Sequence, residues 1–466
     1  MKLLNTQTSQ RSIRRLFIAN RGEIALRIQR SCRELGIETV QACSGIDLDS
    51  LAAQSADKAV LIGGPAPSDS YLRGDAIIAA ALETDCDAVH PGYGFLSESG
   101  DFADSCLAAG LIFVGPSGEV IRQMGDKAQA RAIAKAAGLP IVPGSDGLVS
   151  DIAQAQTVAA RLGYPLLIKA SSGGGGRGMR LVYNADTLQS SIEAAAREAG
   201  SAFGSPAVYM ERYLEKIRHI EVQVLGDGEN LIHLGTRDCS TQRRHQKLLE
   251  EAPAPYLTPA QTDKMTADAC ALAKRCGYSG AGTVEFVLDM ASGDFYFIEM
   301  NTRIQVEHPV TESITGIDIV AQQIRIAEGR PLEYGQEDVT FTGHAIECRI
   351  NAEDSAKGFM PKPGTVTALS FPDNAAIRVD GHIRNKDTLS AHYDSLLAKI
   401  ICHAPSRKEA ISLMRDALDR TIVEGVPTTL PFHREILAGS DFDEGRVHTR
   451  YVKDTLYQGR PLANLL

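Results

Sequence analysis

No apolar run in the 466 residues approaches the roughly 20 needed to span a bilayer. The N-terminal MKLLNTQTSQRSIRR lacks the apolar h-region of a signal peptide. It is basic and acid-free, as a short transit segment is, but reads more simply as a disordered leader over residues 1–13. The nine cysteines include no CxxC pair. A structural zinc and a disulfide framework are therefore not expected, and a reduced, cytoplasmic setting fits. Positive charge is not in excess either: 48 Lys and Arg stand against 58 Asp and Glu, a net charge of -10. That balance argues against general affinity for nucleic acid. There are no internal repeats and no low-complexity linkers, so the parts of the chain are expected to pack closely.

What is present is ordinary globular material, 44% hydrophobic and 23% charged, in a chain long enough for two to four domains. RRLFIAN, IETVQACS, DAVHPGYG and IFVGP read as strands, with the amphipathic helix EIALRIQRSCRELG between the first two. Strands alternating with helices predict a parallel, Rossmann-like sheet. From about Asp126 the texture changes. After the helix DKAQARAIAKAAG come hairpin signals in AVYMERYL, RHIEVQVLGDGENLIHLGTRDCS and TVEFVLDMASGDFYFIEMN. A third, mixed region begins near Phe341 and holds the helix SRKEAISLMRDALDR.

Gly173, Gly175 and Gly178 match G-x-G-x-x-G, but a dinucleotide site needs a helix directly after the glycines. MRLVY follows instead, so the loop joins two strands, and there is no GK[ST] of a phosphate-binding P-loop. A mobile hairpin with bare amides and Arg177 suits a lid over nucleotide phosphates, although a plain surface turn has the same look. Lys169 ends the preceding strand and Lys127 starts a helix, where either can meet phosphate.

The strongest local signal is EFVLDMASGDFYFIEMNTRIQVEHP. As a hairpin turning near residues 291–293, it sets Glu285 across from Glu299, with Asn301 on the same side. Opposed like charges are unfavourable, and a hard divalent cation taking carboxylate and amide oxygens removes the conflict. If the chain stays extended, Arg303, Gln305 and Glu307 share that face, giving an arginine fork and a base for a small planar oxyanion. Arg237, Arg243, Arg244, His245 and Lys247 add a basic cluster suited to polyphosphate.

IANRGEIALRI, HPGYGFLSE, GDKAQAR, IKASSGGGGRGMR, RDCSTQRRHQKLLEEAPAP, EMNTRIQVEHPVTE, GHAIECRINAED and YDSLLAKI together resemble the biotin carboxylases. These are ATP-grasp enzymes that include bacterial acetyl-CoA carboxylase subunits and the front portions of pyruvate and acyl-CoA carboxylases. The resemblance runs from about Leu16 to about Gly439. It implies an α/β and α+β multidomain fold: an N-terminal domain (14–125), a central ATP-grasp domain (126–340, with a glycine-rich lid over about 139–213), a mixed C-terminal domain (341–456) and a tail (457–466).

For the site, the resemblance implies that Lys127, Lys169, Gly174, Gly175, Gly176, Arg177, Gly178 and Met179 meet the ATP phosphates. Glu211, Tyr213 and Leu214 would grip adenine, with His219, Gln242 and His245 lining the nucleotide. Glu285, Glu299 and Asn301 would hold Mg²⁺ or Mn²⁺, two ions in all, the two glutamates also touching ATP. Lys247, Arg303, Gln305, Val306, Glu307 and Arg349 would form the bicarbonate and biotin site, with Glu307, Arg349, Lys247 and Arg303 catalytic. The implied reaction is ATP-dependent carboxylation of biotin through carboxyphosphate, by a homodimeric ligase. No Met-Lys-Met, the biotin-bearing signature of the carrier domain, occurs here. Biotin is thus expected on a separate carrier protein, serving a separate carboxyltransferase of unnamed acceptor.

Arg212 and Ile217 depart from the family's usual lysine and proline, the turn after Glu285 is slightly long, and RNKDTLSAH (384–392) lacks its proline- and aromatic-rich run. Two other enzyme or binding classes stay open at this point: a different ATP-grasp carboxylate ligase, and a nucleotide-binding subunit without turnover. An NAD-dependent oxidoreductase is disfavoured by the strand after the glycine loop.

Overall fold

The computed structural model describes residues 11–145, 147–149, 151–170, 179–203 and 206–456. Strands β1 (Arg15–Ile18), β2 (Glu38–Ser44), β3 (Lys58–Gly63), β4 (Ala88–His90) and β5 (Ile112–Phe113) form one parallel sheet in the order β3-β2-β1-β4-β5. β1 is an apolar run buried on both faces, as parallel strands are. Helix α1 (Gly22–Leu35) makes the first crossover, and Gly36 closes it at φ 71°, a left-handed cap that glycine adopts without a Cβ penalty. β3, whose apolar run KAVLIG is not among the strands expected from the sequence, lies at the sheet edge with half of its residues exposed.

The chain then enters α2 (Lys127–Ala136), α3 (Ile152–Leu162) and a three-stranded antiparallel sheet, β7-β6-β8, built from β6 (Leu166–Ala170), β7 (Arg180–Val182) and β8 (Val208–Arg212). α3 and α4 (Leu188–Phe203) bury this sheet around Leu166, Ile168 and Met210. A strand, not a helix, follows the glycine run, as its sequence requires. Gly174, Gly175, Gly176, Arg177 and Gly178 themselves lie outside the described residues.

The scaffold of the site is an eight-stranded antiparallel sheet. Its strands are β9 (Ile217–Asp227), β10 (Leu231–Arg243), β11 (Gln246–Ala252), β12 (Ser279–Asp289), β13 (Phe295–Asn301), β14 (His344–Asn351), β15 (Ile377–Gly381) and β16 (Leu396–Ala404). They run in the order β13-β12-β9-β10-β11-β14-β16-β15. Because β11 pairs with β14, the sheet continues without a break past residue 341, and the central and C-terminal regions share it. Helix α5 (Pro259–Arg275) packs on one side through Met265 and Leu272. On the other, α6 (His308–Thr315) covers β10, β11 and β14, and α7 (Ile319–Ala327) joins the core of α1. Helix α8 (Arg407–Arg420) closes the C-terminal core against β14 and β16. The atypical segment 384–392 is pinned to the N-terminal region, Arg384 donating to Gln54 and to the Asp49 carbonyl at 2.6 Å each.

Candidate active site

Three glutamates stand side by side across adjacent strands. Glu285 on β12 is in direct register with Glu221 on β9 and with Glu299 on β13. Directly opposed residues point to one face, so the sheet gathers three carboxylates that repel one another. Cations answer the first two. Arg237, opposite Glu221 on β10 and completely buried, donates to it at 2.9 Å. Its other nitrogens reach Gln223 (2.7 Å), Thr311 (3.0 Å), Thr283 (3.1 Å) and Gln305 (2.7 Å).

The Lys247 ammonium bonds to Glu285 at 2.9 Å, to Glu307 at 2.8 Å, and to Glu221 in its shortest contact. Burial alone would discharge this lysine, but its three carboxylates hold its pKa well above the usual value. His219 lies 3.1 Å from Glu285 and 3.2 Å from Glu221. Burial opposes its charge, yet the two carboxylates push its pKa up to about 9. In return Lys247 and His219 overcome the burial of Glu285 and hold its carboxyl well below the usual range. His219, Glu221 and Glu285 present ligand atoms within 4.8 Å of one another, but Lys247 already supplies the positive charge among them.

Glu299 is different. Among the described residues it carries no ion pair, and burial followed by repulsion from Glu285 raises its pKa. Lys127, exposed at the first position of α2, acts on it only through space. The row thus ends in an unneutralised oxygen donor beside Glu285 and Asn301, whose amide nitrogen donates to Glu285 at 2.8 Å. Glu299 is a hard carboxylate donor lacking a cation, and with the oxygens of Glu285 and Asn301, which Lys247 and Arg303 now occupy, it makes a set that fits Mg²⁺ or Mn²⁺.

The segment after Asn301 does not remain a strand. β13 ends there, residues 302–307 bend and turn, and Glu307 (φ -81°, ψ 7°) sits directly before α6. Strand alternation is therefore not what unites Arg303, Gln305 and Glu307; tertiary contacts are. Arg303 donates to Glu98 at 2.8 Å and to the Asn301 side chain at 3.1 Å. Gln305 donates to Glu285 at 2.8 Å, and the Val306 carbonyl accepts from Lys399 at 2.7 Å. Glu307 is held between Lys247 and Arg349, at 2.8 and 2.9 Å. Its burial is outweighed by Lys247 and Arg349, so its carboxyl titrates below the usual range and stays ionised.

Behind Arg349 lies a second acid pair. Glu250 on β11 opposes Glu347 on β14, both completely buried. Arg349 approaches Glu250 at 2.5 Å. Burial still raises Glu250 to about 7 and Glu347 well above the usual value.

The expected nucleotide residues are only partly assembled. Glu211 is the penultimate residue of β8 and binds Lys169 at 2.5 Å and Arg131 at 2.6 Å. Tyr213 and Leu214 follow the strand's last residue, Arg212; the Tyr213 amide donates to the Pro165 carbonyl at 3.1 Å and its hydroxyl accepts from Arg450. Met179 is half-buried at the edge of β7. Gln242 is buried and donates to the Cys239 carbonyl at 2.8 Å.

The basic cluster read from the sequence is not one anion patch. Arg237 is an internal strut and Lys247 a central counter-ion. Arg243 lies over the Phe359 ring, while Arg244 and His245 form the exposed hairpin tip at φ 48° and 63°. Sequence reasoning also missed Glu221, Glu250, Glu98 and Arg131. For Glu221 a signal existed: His219 and Glu221 alternate on a strand, as Glu299 and Asn301 do.

Residues 12–121 match the family model "Biotin carboxylase, N-terminal domain", residues 126–334 "Carbamoyl-phosphate synthase L chain, ATP binding domain", and residues 347–454 "Biotin carboxylase C-terminal domain". Biotin carboxylase 1 of Bacillus subtilis is 49% identical over 442 residues, 95% of this chain and 98% of the relative. The biotin carboxylase of Haemophilus influenzae is 52% identical over 450 residues, 95% and 99% of the two chains. Among solved structures, the biotin carboxylase domain dimer of Hydrogenobacter thermophilus 2-oxoglutarate carboxylase, in complex with MgADP, ADP and bicarbonate, superposes with a TM-score of 0.89. That domain is 48% identical, and the match covers 96% of this chain and 98% of that one.

Proposed function

Because the chain belongs to the biotin carboxylase family, we propose that Glu307 is the general base of its ATP- and bicarbonate-dependent carboxylation of biotin. The chain is a ligase that uses ATP, Mg²⁺ and bicarbonate, and biotin is the group it carboxylates. The observation that carries the assignment is the placement of Lys247. One ammonium bridges Glu221 and Glu285 of the carboxylate row to Glu307, so the phosphate end and the bicarbonate end of the site share a counter-ion.

In this reading Glu307, ionised between Lys247 and Arg349, takes the bicarbonate proton. The bicarbonate oxygen attacks the γ-phosphorus of ATP, the bond to the ADP oxygen breaks, and carboxyphosphate forms. Lys247 and Arg303 neutralise the charge that spreads during phosphoryl transfer. Carboxyphosphate splits into CO₂ and phosphate, and the phosphate removes the N1 proton of biotin. Arg349 holds the resulting ureido oxyanion while N1 bonds to CO₂. Glu285, Glu299 and Asn301 would hold Mg²⁺, which supplies Lewis-acid charge to the ATP phosphates. Lys127, Lys169, Met179, Glu211, Tyr213, Leu214, His219, Gln242 and His245, with the loop 174–178, would enclose the nucleotide.

We further propose that biotin arrives on a separate carrier protein and leaves to a separate carboxyltransferase. A homodimer in the cytoplasm is also proposed, supported by the nine free cysteines and by the dimer of the Hydrogenobacter domain. Among the described residues no helix is long and apolar enough to cross a membrane. ADP release measured with bicarbonate, with and without free biotin, tests the reaction. Stimulation by biotin only when bicarbonate is present is expected; biotin-independent turnover would favour another carboxylate ligase, and MgATP binding without turnover a regulatory role. Sedimentation as a monomer at micromolar concentration would overturn the dimer.

A further inference from the structure

None of Glu23, Tyr93 and Lys399 takes part in the steps assigned above, yet they form one chain of contacts, buried at Glu23 and Lys399 and half-buried at Tyr93, that ends on the catalytic segment. The order of the N-terminal sheet reverses at β1 and β4, and in open α/β sheets the crevice beyond such strands is where ligands bind. Glu23 lies just past β1, in the first turn of α1, and Tyr93 just past β4. The Tyr93 hydroxyl donates to Glu23 Oε1 at 2.5 Å. Lys399, completely buried on β16, lies 3.1 Å from that same oxygen and donates to the Val306 carbonyl at 2.7 Å. Across the sheet it is in register with Arg349 on one side and Asp380 on the other.

A buried ion pair is an inefficient source of stability, because desolvating both charges offsets much of their attraction. What the ammonium adds is direction. It offers three donors and no acceptor, and one donor fixes a backbone carbonyl in a stretch that has neither helix nor strand bonds to hold it. That carbonyl belongs to Val306, immediately before Glu307. The lysine therefore ties three separate parts of the chain at one point: the switch-point crevice, the C-terminal strand next to Arg349, and the segment carrying the base.

We infer that Lys399 is a positioning residue for biotin carboxylation. Clamped between Glu23 and the Val306 carbonyl, it sets Glu307 against Arg349 and joins the site to the crevice at Tyr93. The inference rests on Glu307 being the base, and its test must be able to separate the two.

The single variant Lys399→Met leaves Glu23 buried without its counter-charge, so the double variant Glu23→Gln/Lys399→Met, which removes both charges, is measured beside it. A misplacement of about 1 Å can cost on the order of 100-fold in rate. Both variants are accordingly expected to lose about 10- to 100-fold in kcat for biotin-dependent ADP release, with the KM for MgATP unchanged. The double variant should regain melting temperature without regaining kcat. Hydrogen exchange over residues 303–312 should be faster in the double variant, with the remainder of the sheet unaffected. Recovery of kcat together with stability, unchanged exchange in that segment, or failure of both variants to fold would each overturn the inference, since the contact would then serve stability alone. Glu307→Gln in the same assay separates the two claims. An active Glu307→Gln beside an inactive double variant refutes the base and with it the role of Lys399 in placing one, whereas an inactive Glu307→Gln beside an active double variant refutes Lys399 alone.

Discussion

Replacing Glu307 by glutamine tests the centre of the mechanism, because the structure allows its chemical and structural effects to be told apart. The carboxylate accepts from Lys247 at 2.8 Å through one oxygen and from Arg349 at 2.9 Å through the other. An amide keeps one acceptor and turns its NH₂ towards the second cation, so one charge-assisted hydrogen bond is lost, about 1.5–3 kcal/mol. The larger cost of about 3–5 kcal/mol for stranding a buried charge is not incurred. Lys247 keeps Glu221 and Glu285, and Arg349 keeps Glu250. The variant should therefore fold. Loss of a general base slows a reaction by roughly 10²- to 10⁴-fold, or about 2.7–5.4 kcal/mol of barrier. ADP release at saturating MgATP and bicarbonate, with and without free biotin, reads that loss, and calorimetric titration with nucleotide is expected to give unchanged affinity. Turnover within tenfold of the parent would refute the base. Loss of nucleotide binding would show that Glu307 serves the other end of the site.

Three further outcomes follow from the same electrostatics. Glu299→Gln relieves an opposed like-charge pair and should stabilise the metal-free protein by about 0.2–1 kcal/mol while weakening the Mg²⁺ dependence of turnover; a fall in metal-free melting temperature would contradict the row of repelling carboxylates. His219 has a folded pKa near 9 against 6.5 for the free side chain. Its stabilisation is complete below about pH 6.5 and lost as the pH rises through 9, so melting temperature should fall less steeply over that range in His219→Gln than in the parent; parallel profiles would refute it. Burial holds the Glu347 carboxyl far above its usual 4.5, so the folded state is penalised increasingly as the pH rises above about 4.5. Glu347→Gln should thus be more stable than the parent at pH 7–8, by a margin that shrinks towards pH 4.5. A marked destabilisation at neutral pH would mean instead that Glu347 is ionised and neutralises Lys399.

Local pattern was sufficient wherever the relevant neighbours are close in the chain. Period-two alternation and a Ser-Gly-Asp turn set Glu285 opposite Glu299, and the register agrees. Glycine placement marked the end of α1. The strand MRLVY showed that the glycine run opens no dinucleotide site, and the run of motifs from Leu16 onward identified the family. Where alternation was extended too far the structure corrects it: the strand stops at Asn301, and Pro309 in the first turn of α6 helps to fix the helix start right after Glu307.

The rest depends on strands that are distant in sequence. Glu221 meets Glu285 because β9 pairs with β12, and Glu250 meets Glu347 because β11 pairs with β14; no spacing along the chain encodes either pairing. Whether a basic residue becomes a phosphate ligand or an internal strut is likewise a matter of burial. Arg237, Lys247 and Arg244 look alike as letters, but only folding removes the first from water and leaves the last exposed. The sequence by itself determined which chemical groups are available and which short segments present them. The tertiary structure alone decided their charge states and their partners, because ionisation in a protein interior is governed by desolvation and by charges brought near from elsewhere in the chain.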